Sequence, residues 1–346
     1  MQITNAYFEI TNQCNLNCIT CYNRSGLNTV RSEFSFSDLI QAIEHLHSEF
    51  GCTSFAFAGG EPLLYSRLDS LLSYLESHSE LQASFVTNGT IHNPNFIRFL
   101  HSDPSRFHLQ ISLDGSCEAI NHLTRGPGAF ARTLRYLDQA ASPDFKPLVK
   151  MVLSQNNLSD VEAFYHMAVQ HGGTPEFAFI NRTGNATDHW ETKALSAAQK
   201  VRVIKCLDRL NQENPGVDAV LPLCSSLCPL ADSSRPLSIL VKTDGTLQPC
   251  QLFYDSSYSF GSILADSADA LKAGMERIRQ LALARKSCDF ACDRCPLKTQ
   301  CGRGCMAAAF YQCGDPLGDD GDCTTRKLEV LDYQVRKELL SKRNSR

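Results

Sequence analysis

The chain has 346 residues, 43% hydrophobic and 20% charged, with 33 basic against 37 acidic side chains for a formal charge of −4. This apolar content supports a large core and excludes a disordered chain, while the acidic balance offers no generic pull toward nucleic acid or an anionic membrane. No apolar run approaches the ~20 residues that span a bilayer, and the first residues lack the basic and apolar segments of a signal peptide, so a soluble cytoplasmic protein is expected.

A first strand is expected at Ala6–Thr11, followed at once by Cys14, Cys18 and Cys21 in a C-x3-C-x2-C group. The next segment places Leu39, Ile43, Leu46 and Phe50 on one helical stripe that opens near Ser37 and stops at Gly51. Strands follow at Thr53–Ala58, Ala83–Thr87, Phe107–Ser112, Pro147–Leu153 and Pro175–Ile180, with helices about Leu68–Glu76, Pro94–Leu100, Phe130–Ala140, Leu158–His171 and Ala197–Asn211. Alternation of this kind implies a parallel sheet with helices outside it. Six units are too few for a closed eight-fold barrel, so the expected α/β architecture is a partial (β/α)6 barrel with its functional residues at the C-terminal strand ends. Trp190 is read as lying in a polar loop after Gly184-Asn185-Ala186.

Residues 214–236 read as a connector, and Asp244-Gly245 turns a hairpin between Leu237–Lys242 and Leu247–Cys250. Beyond Ser287 the chain is rich in Cys and Gly with little periodic apolar content, so metal clusters would stand in for a core there. A last helix at Thr325–Ser341 ends in Lys342, Arg343 and Arg346, read as a solvated tail. The expected domains are therefore a barrel (1–213), a connector (214–236), a Cys-rich domain (237–325), and a helix with its tail (326–346).

Sixteen Cys are present. Disulfide-dense chains are typically small and secreted, so metal is the expected use of the thiols here. Besides the first group there are Cys224 and Cys228 with Cys250 following, and then Cys292, Cys295, Cys301, Cys305 and Cys323 in a C-x2-C-x5-C-x3-C-x17-C array. Thiolates suit zinc and iron–sulfur clusters alike. The first group supplies three thiols and has no His near it, whereas structural zinc takes four ligands; a cubane cluster held by three Cys keeps one iron open. The other eight divide into two complete four-Cys sites. Cys52 and Cys117 are read as buried structural thiols and Cys206 as core, while Cys288 and Cys313 are left unassigned. His45, His47, His78, His92, His101 and His108 share no metal spacing and are read as surface or helix-end residues.

The segments Thr11-Asn12-Gln13-Cys14 through Cys21 and Gly59-Gly60-Glu61-Pro62 together resemble the radical S-adenosylmethionine superfamily. The resemblance implies that Cys14, Cys18 and Cys21 hold a [4Fe–4S] cluster whose open iron takes S-adenosyl-L-methionine. It further implies that Gly59, Gly60, Glu61 and Pro62 bind the amino group of that cofactor, that Ser112 and Asp114 in Gln110–Gly115 lie at its ribose, that Arg125 pairs with its carboxylate, and that Asn88 contributes. The C-terminal third resembles the SPASM extension, which carries two auxiliary [4Fe–4S] clusters. By that likeness Cys224, Cys228, Cys250 and Cys305 hold one, and Cys292, Cys295, Cys301 and Cys323 the other. Sixteen residues separate Cys228 from Gly245, more than the usual gap, and Cys288 could compete as a ligand.

By resemblance the chain modifies a ribosomally made precursor peptide. A 5′-deoxyadenosyl radical would abstract hydrogen, giving a crosslink, an epimer, or a backbone excision that leaves a β-amino acid. The Cys21–Gly26 context points to the splicease type. Sulfatase-type side-chain oxidation is disfavoured, because the position after Cys250 is Gln251, which takes no proton at neutral pH. The expected partners are the precursor, a separate leader-peptide recognition protein, and a reductant such as flavodoxin or ferredoxin. Two rivals are the same chemistry on a non-peptide substrate or an enzyme side chain, and a non-catalytic electron carrier or zinc scaffold.

Overall fold

The protein is described from a computed structural model that covers residues 3–217, 219, 228–231, 237–287, 294–295 and 303–328. The first helix shows how local signals set the elements. The Ser35 side chain accepts the Asp38 N–H (3.1 Å) to open α1 (Phe36–Phe50), and Gly51 closes it at φ 69°, the conformation that costs glycine least. The helix thus begins just before Ser37, because the capping hydroxyl is Ser35.

The strands are β1 (Ile3–Thr11), β2 (Ser54–Gly59), β3 (Gln82–Thr87), β4 (Phe107–Ser112), β5 (Leu148–Leu153) and β6 (Thr174–Phe179), all parallel in the order 6-5-4-3-2-1. Between them run α1, α2 (Leu68–Ser77), α3 (Pro94–Ser102), α4 (Glu118–Arg125), α5 (Ala129–Ala140) and α6 (Val161–Gln170); α7 (Ala186–Lys193) and α8 (Ala197–Glu213) follow β6. This is the expected partial α/β barrel. Two of these eight helices were not foreseen. Trp190 sits on α7 rather than in a loop. The Glu118–Arg125 run forms α4, whose buried positions Asn121, Thr124 and Arg125 are polar and so gave no apolar stripe.

One face of the sheet is an aromatic layer. Phe8, Phe55, Phe57, Phe85, Phe96 and Phe107 are fully buried, with ring centroids 5.1 Å apart for Phe57–Phe85 and 4.9 Å for Phe85–Phe96. Because side chains alternate across a strand, Tyr7, Gln110, Ser112 and Lys150 point to the other face, where they line a cavity.

The chain then returns to the sheet. Strand β7 (Leu237–Val241) pairs in parallel with β1, Ile3 opposite Leu237 and Phe8 opposite Val241, and β8 (Thr246–Gln248) and β9 (Gly261–Ser262) continue it antiparallel. The expected hairpin is present, and among the described residues it extends the barrel sheet to nine strands. Two more helices, neither of them foreseen, are α9 (Ala268–Ser287) and α10 (Met306–Cys313), whose buried apolar residues join the same core. The second buries Met306, Ala307 and Ala309, so this region holds apolar core that its Cys-rich sequence did not announce. Residues 323–328 are helical, and the remainder of the expected last helix lies outside the described residues. Among the described residues no helix is long and apolar enough to cross a membrane.

Candidate active site

Cys14, Cys18 and Cys21 line a cavity of about 250 Å³ together with Gly59, Gly60, Glu61, Asn88, Ser112 and Arg125. Among the described residues no three His, Cys, Asp or Glu meet as a single-ion site would. The Asn88 amide N–H and an Arg125 N–H lie 3.9 Å from Cys14 Sγ and Cys18 Sγ. Burial pushes the Cys14 thiol up to about 11 and Cys18 up to about 12, so both hold their protons until a metal displaces them.

The loop that carries these thiols is held from two sides. Gly60 N–H donates to Thr11 O (2.7 Å) and Glu61 N–H to Gln13 O (2.7 Å). A Cβ at Gly60 would lie 1.9 Å from the Gln13 carbonyl oxygen, so this glycine lets two backbones meet. On the other side, Asn185 N–H donates to Cys21 O (2.8 Å), and its amide donates to Cys18 O (2.8 Å) and Asn17 Oδ1 (3.0 Å).

Glu61 is fully buried, and its carboxylate accepts from Thr87 Oγ1 (2.6 Å), Asn88 N (2.8 Å) and Leu63 N (3.3 Å). Burial raises it to about 7. Arg125, at the end of α4, forms a 2.8 Å ion pair with Asp114, both nearly inaccessible. Asp114 itself stands behind the arginine and outside the cavity lining. Its Oδ1 accepts Val152 N–H (2.8 Å), and its backbone bonds Asn121 and Asn157. Pro62 likewise lies off the lining, opening a single 3-10 turn at Pro62–Leu64.

A second cavity, of about 550 Å³, is lined by Cys228, Cys250 and Cys305. Ala178, Phe179, Asn181, Gln251 and Leu252 line both spaces, so the two cavities share a wall that includes Gln251. Burial raises all three thiols, Cys250 to about 12. Cys295 and Cys323 are half-buried, whereas Cys224, Cys288, Cys292 and Cys301 lie outside the described residues. Cys52 is buried as expected. Cys117 is exposed, because it stands at the open start of α4, and Cys313 is exposed at the end of α10.

Residues 8–168 match the Radical SAM superfamily model. The mycofactocin maturase MftC of Mycobacterium ulcerans is 27% identical over 331 residues, 91% of this chain and 86% of its own. In fold, the chain is similar to native anSMEcpe with bound AdoMet and the Cp18Cys peptide (TM-score 0.75, 18% identity, 100% of each chain). It is also similar to Streptococcus suis SuiB bound to its precursor peptide SuiA (TM-score 0.76, 15% identity, 94% of this chain and 76% of that one). The family implies S-adenosylmethionine and a four-iron cluster, and a cavity ringed by three thiols and, among the described residues, no fourth fits that pair. Residues 8–168 of this chain are a radical SAM domain.

Proposed function

We propose that this protein is a radical S-adenosylmethionine enzyme that modifies a ribosomally made precursor peptide. The observation that carries the reading is the convergence of Cys14, Cys18 and Cys21 after β1, Asn88 after β3, Ser112 at the end of β4 and Arg125 at the end of α4 on one cavity. Cys14, Cys18 and Cys21 would hold the cluster. Arg125, kept in place by Asp114, would face the cofactor carboxylate; its planar fork suits that partner. Glu61, Gly59 and Gly60 would face the amino group, and Ser112 the ribose. When bound, cluster and cofactor supply homolytic abstraction of hydrogen from an unactivated carbon. The residues around them orient the peptide and exclude water.

Cys228, Cys250 and Cys305, with Cys224, would hold one auxiliary cluster, and Cys292, Cys295, Cys301 and Cys323 the second. The shared cavity wall supports the substrate lying between the first of these and the radical site. Gln251 on that wall cannot accept a proton at neutral pH, which supports crosslinking, epimerisation or splicease-type excision over side-chain oxidation that needs a base there. The precursor peptide SuiA bound to SuiB, and the maturase name that MftC carries, support the substrate class. A separate leader-recognition protein and a flavodoxin or ferredoxin complete the proposed system.

Anaerobic co-expression with each short open reading frame beside the gene, followed by intact and fragment mass spectrometry, tests this. Loss of a hydrogen pair marks a crosslink, loss of a residue-sized fragment marks excision, and mass gain in deuterated water marks epimerisation. Unaltered peptides in either solvent, from cluster-loaded enzyme that still cleaves the cofactor, would overturn the peptide reading in favour of a non-peptide substrate.

A further inference from the structure

Glu9 lies on β1 two residues before its end, on the same strand face as Tyr7, and is 4% exposed. A buried carboxylate is costly unless its oxygens are satisfied, and the partners of this one come from two distant parts of the chain. Oε1 accepts Tyr22 O–H (3.0 Å) and Asn23 Nδ2 (3.1 Å), both just past Cys21. Oε2 accepts Tyr254 O–H (2.7 Å) from the segment after Cys250. Lys242 stands 4.4 Å over the Tyr254 ring and offsets part of the charge. Tyr254 is itself held by α10, its N–H donating to Tyr311 O–H (3.1 Å).

Asn23 turns this network toward the thiol. Its Nδ2 donates to Glu9 and to Gly59 O (2.9 Å), which leaves Oδ1 facing Ser25 O–H (2.7 Å) and Cys21 Sγ (3.1 Å). An amide can present either a donor or an acceptor, and here Glu9 decides which end meets the sulfur. We infer that Glu9 is a positioning residue, tying the C-terminal extension through Tyr254 to the Tyr22-Asn23 segment and so fixing how Cys21 is presented. The inference rests on the proposed role of Cys21 as a cluster ligand. It adds a mechanical link from α10 and the Cys250 segment to the loop that holds the radical-generating site.

Two measurements on the full chain test it. The first is hydrogen exchange of residues 15–25 in the metal-free protein. Tyr254→Phe keeps the ring and removes one hydroxyl far from the loop in sequence. It should speed exchange there roughly tenfold, as should Glu9→Gln, and the double variant should add little more. The second is the electron paramagnetic resonance spectrum of dithionite-reduced, cluster-loaded protein, read as the change on adding S-adenosylmethionine. Both variants should shift that difference spectrum while binding as much iron as the parent. Unchanged exchange and an unchanged difference spectrum in both variants would overturn the link, as would exchange raised equally in every segment. A parent protein with no response to S-adenosylmethionine would instead overturn the cluster reading, leaving the exchange result to judge the link alone.

Discussion

Arg125 and Asp114 form the most consequential pair of the site, because two charges are buried where neither can be left alone. Replacing one partner strands the other, an effect of about 3–5 kcal/mol in buried pairs. Asp114→Ala is therefore expected to lower unfolding free energy by that order in denaturant titration, and to weaken S-adenosylmethionine binding through a mis-set Arg125. A loss below about 1 kcal/mol would mean the pair behaves as a solvated one. Gly184 supplies a second test. It holds φ 55°, and a Cβ there would sit 2.2 Å from Cys21 O and 2.3 Å from Tyr22 O. Gly184→Ala should cost about 1–3 kcal/mol and lower iron uptake by the N-terminal site, read by iron analysis of protein reconstituted without oxygen. The Cys, Gly-Gly-Glu and Arg positions were picked out because their motifs follow one another in the order of a known family, and the fold brings them to one cavity. Asn185 and Glu9 were not. A lone Asn after a strand, or a Glu inside one, carries no spacing, and its use depends on which distant backbone the fold brings beside it.

At the scale of elements, six strand–helix units were readable because apolar periodicity and capping agreed. α1 has a Ser cap, a Leu-Ile stripe and a terminal Gly, and its boundaries followed from them. Ser35→Ala is expected to cost about 1 kcal/mol, measured by thermal or denaturant unfolding, since the Asp38 N–H would lose the Ser35 hydroxyl as its acceptor. The aromatic layer should be far less tolerant. Phe85 touches Phe57, Phe96 and Phe99 with centroids at 5.1, 4.9 and 5.9 Å, so Phe85→Ala should cost about 3–5 kcal/mol. α9 escaped the reading although Leu271, Met275, Ile278 and Ala282 form a buried stripe along it; the other three missed helices share a cause. α4 buries polar residues for the site, α7 is mostly polar, and α10 draws its helix from a run of alanines beside cysteines that pointed to metal. In each, the side chains answer to function or to neighbouring segments, and the periodic signal is lost.

For the molecule as a whole, the join between β1 and β7 decides what can stand alone. β1 is hydrogen-bonded on one edge by β2 and on the other by β7, so a chain ended after Glu213 would bare an edge flanked by a large aromatic layer. Such edges template association. That shortened chain is expected to self-associate in light scattering, whereas the full chain stays dispersed; a monomeric fragment that unfolds cooperatively would show that the barrel is self-sufficient. The larger cavity depends on the same join, because Leu237 and Ser238 on β7 border it. The hairpin was foreseen from its Asp-Gly turn, yet no local signal could say that it would dock on the first strand, since that choice is made by an edge more than two hundred residues away. Synthesis gives the choice a schedule. At about 5–20 residues per second, β1 leaves the ribosome roughly ten to fifty seconds before β7 can reach it. Through that interval the nascent protein holds an open strand edge beside thiols that oxygen and stray metal can reach. The cell's supply of chaperone and iron–sulfur donor during translation, rather than the stability of the finished fold, would then set how much competent enzyme is made.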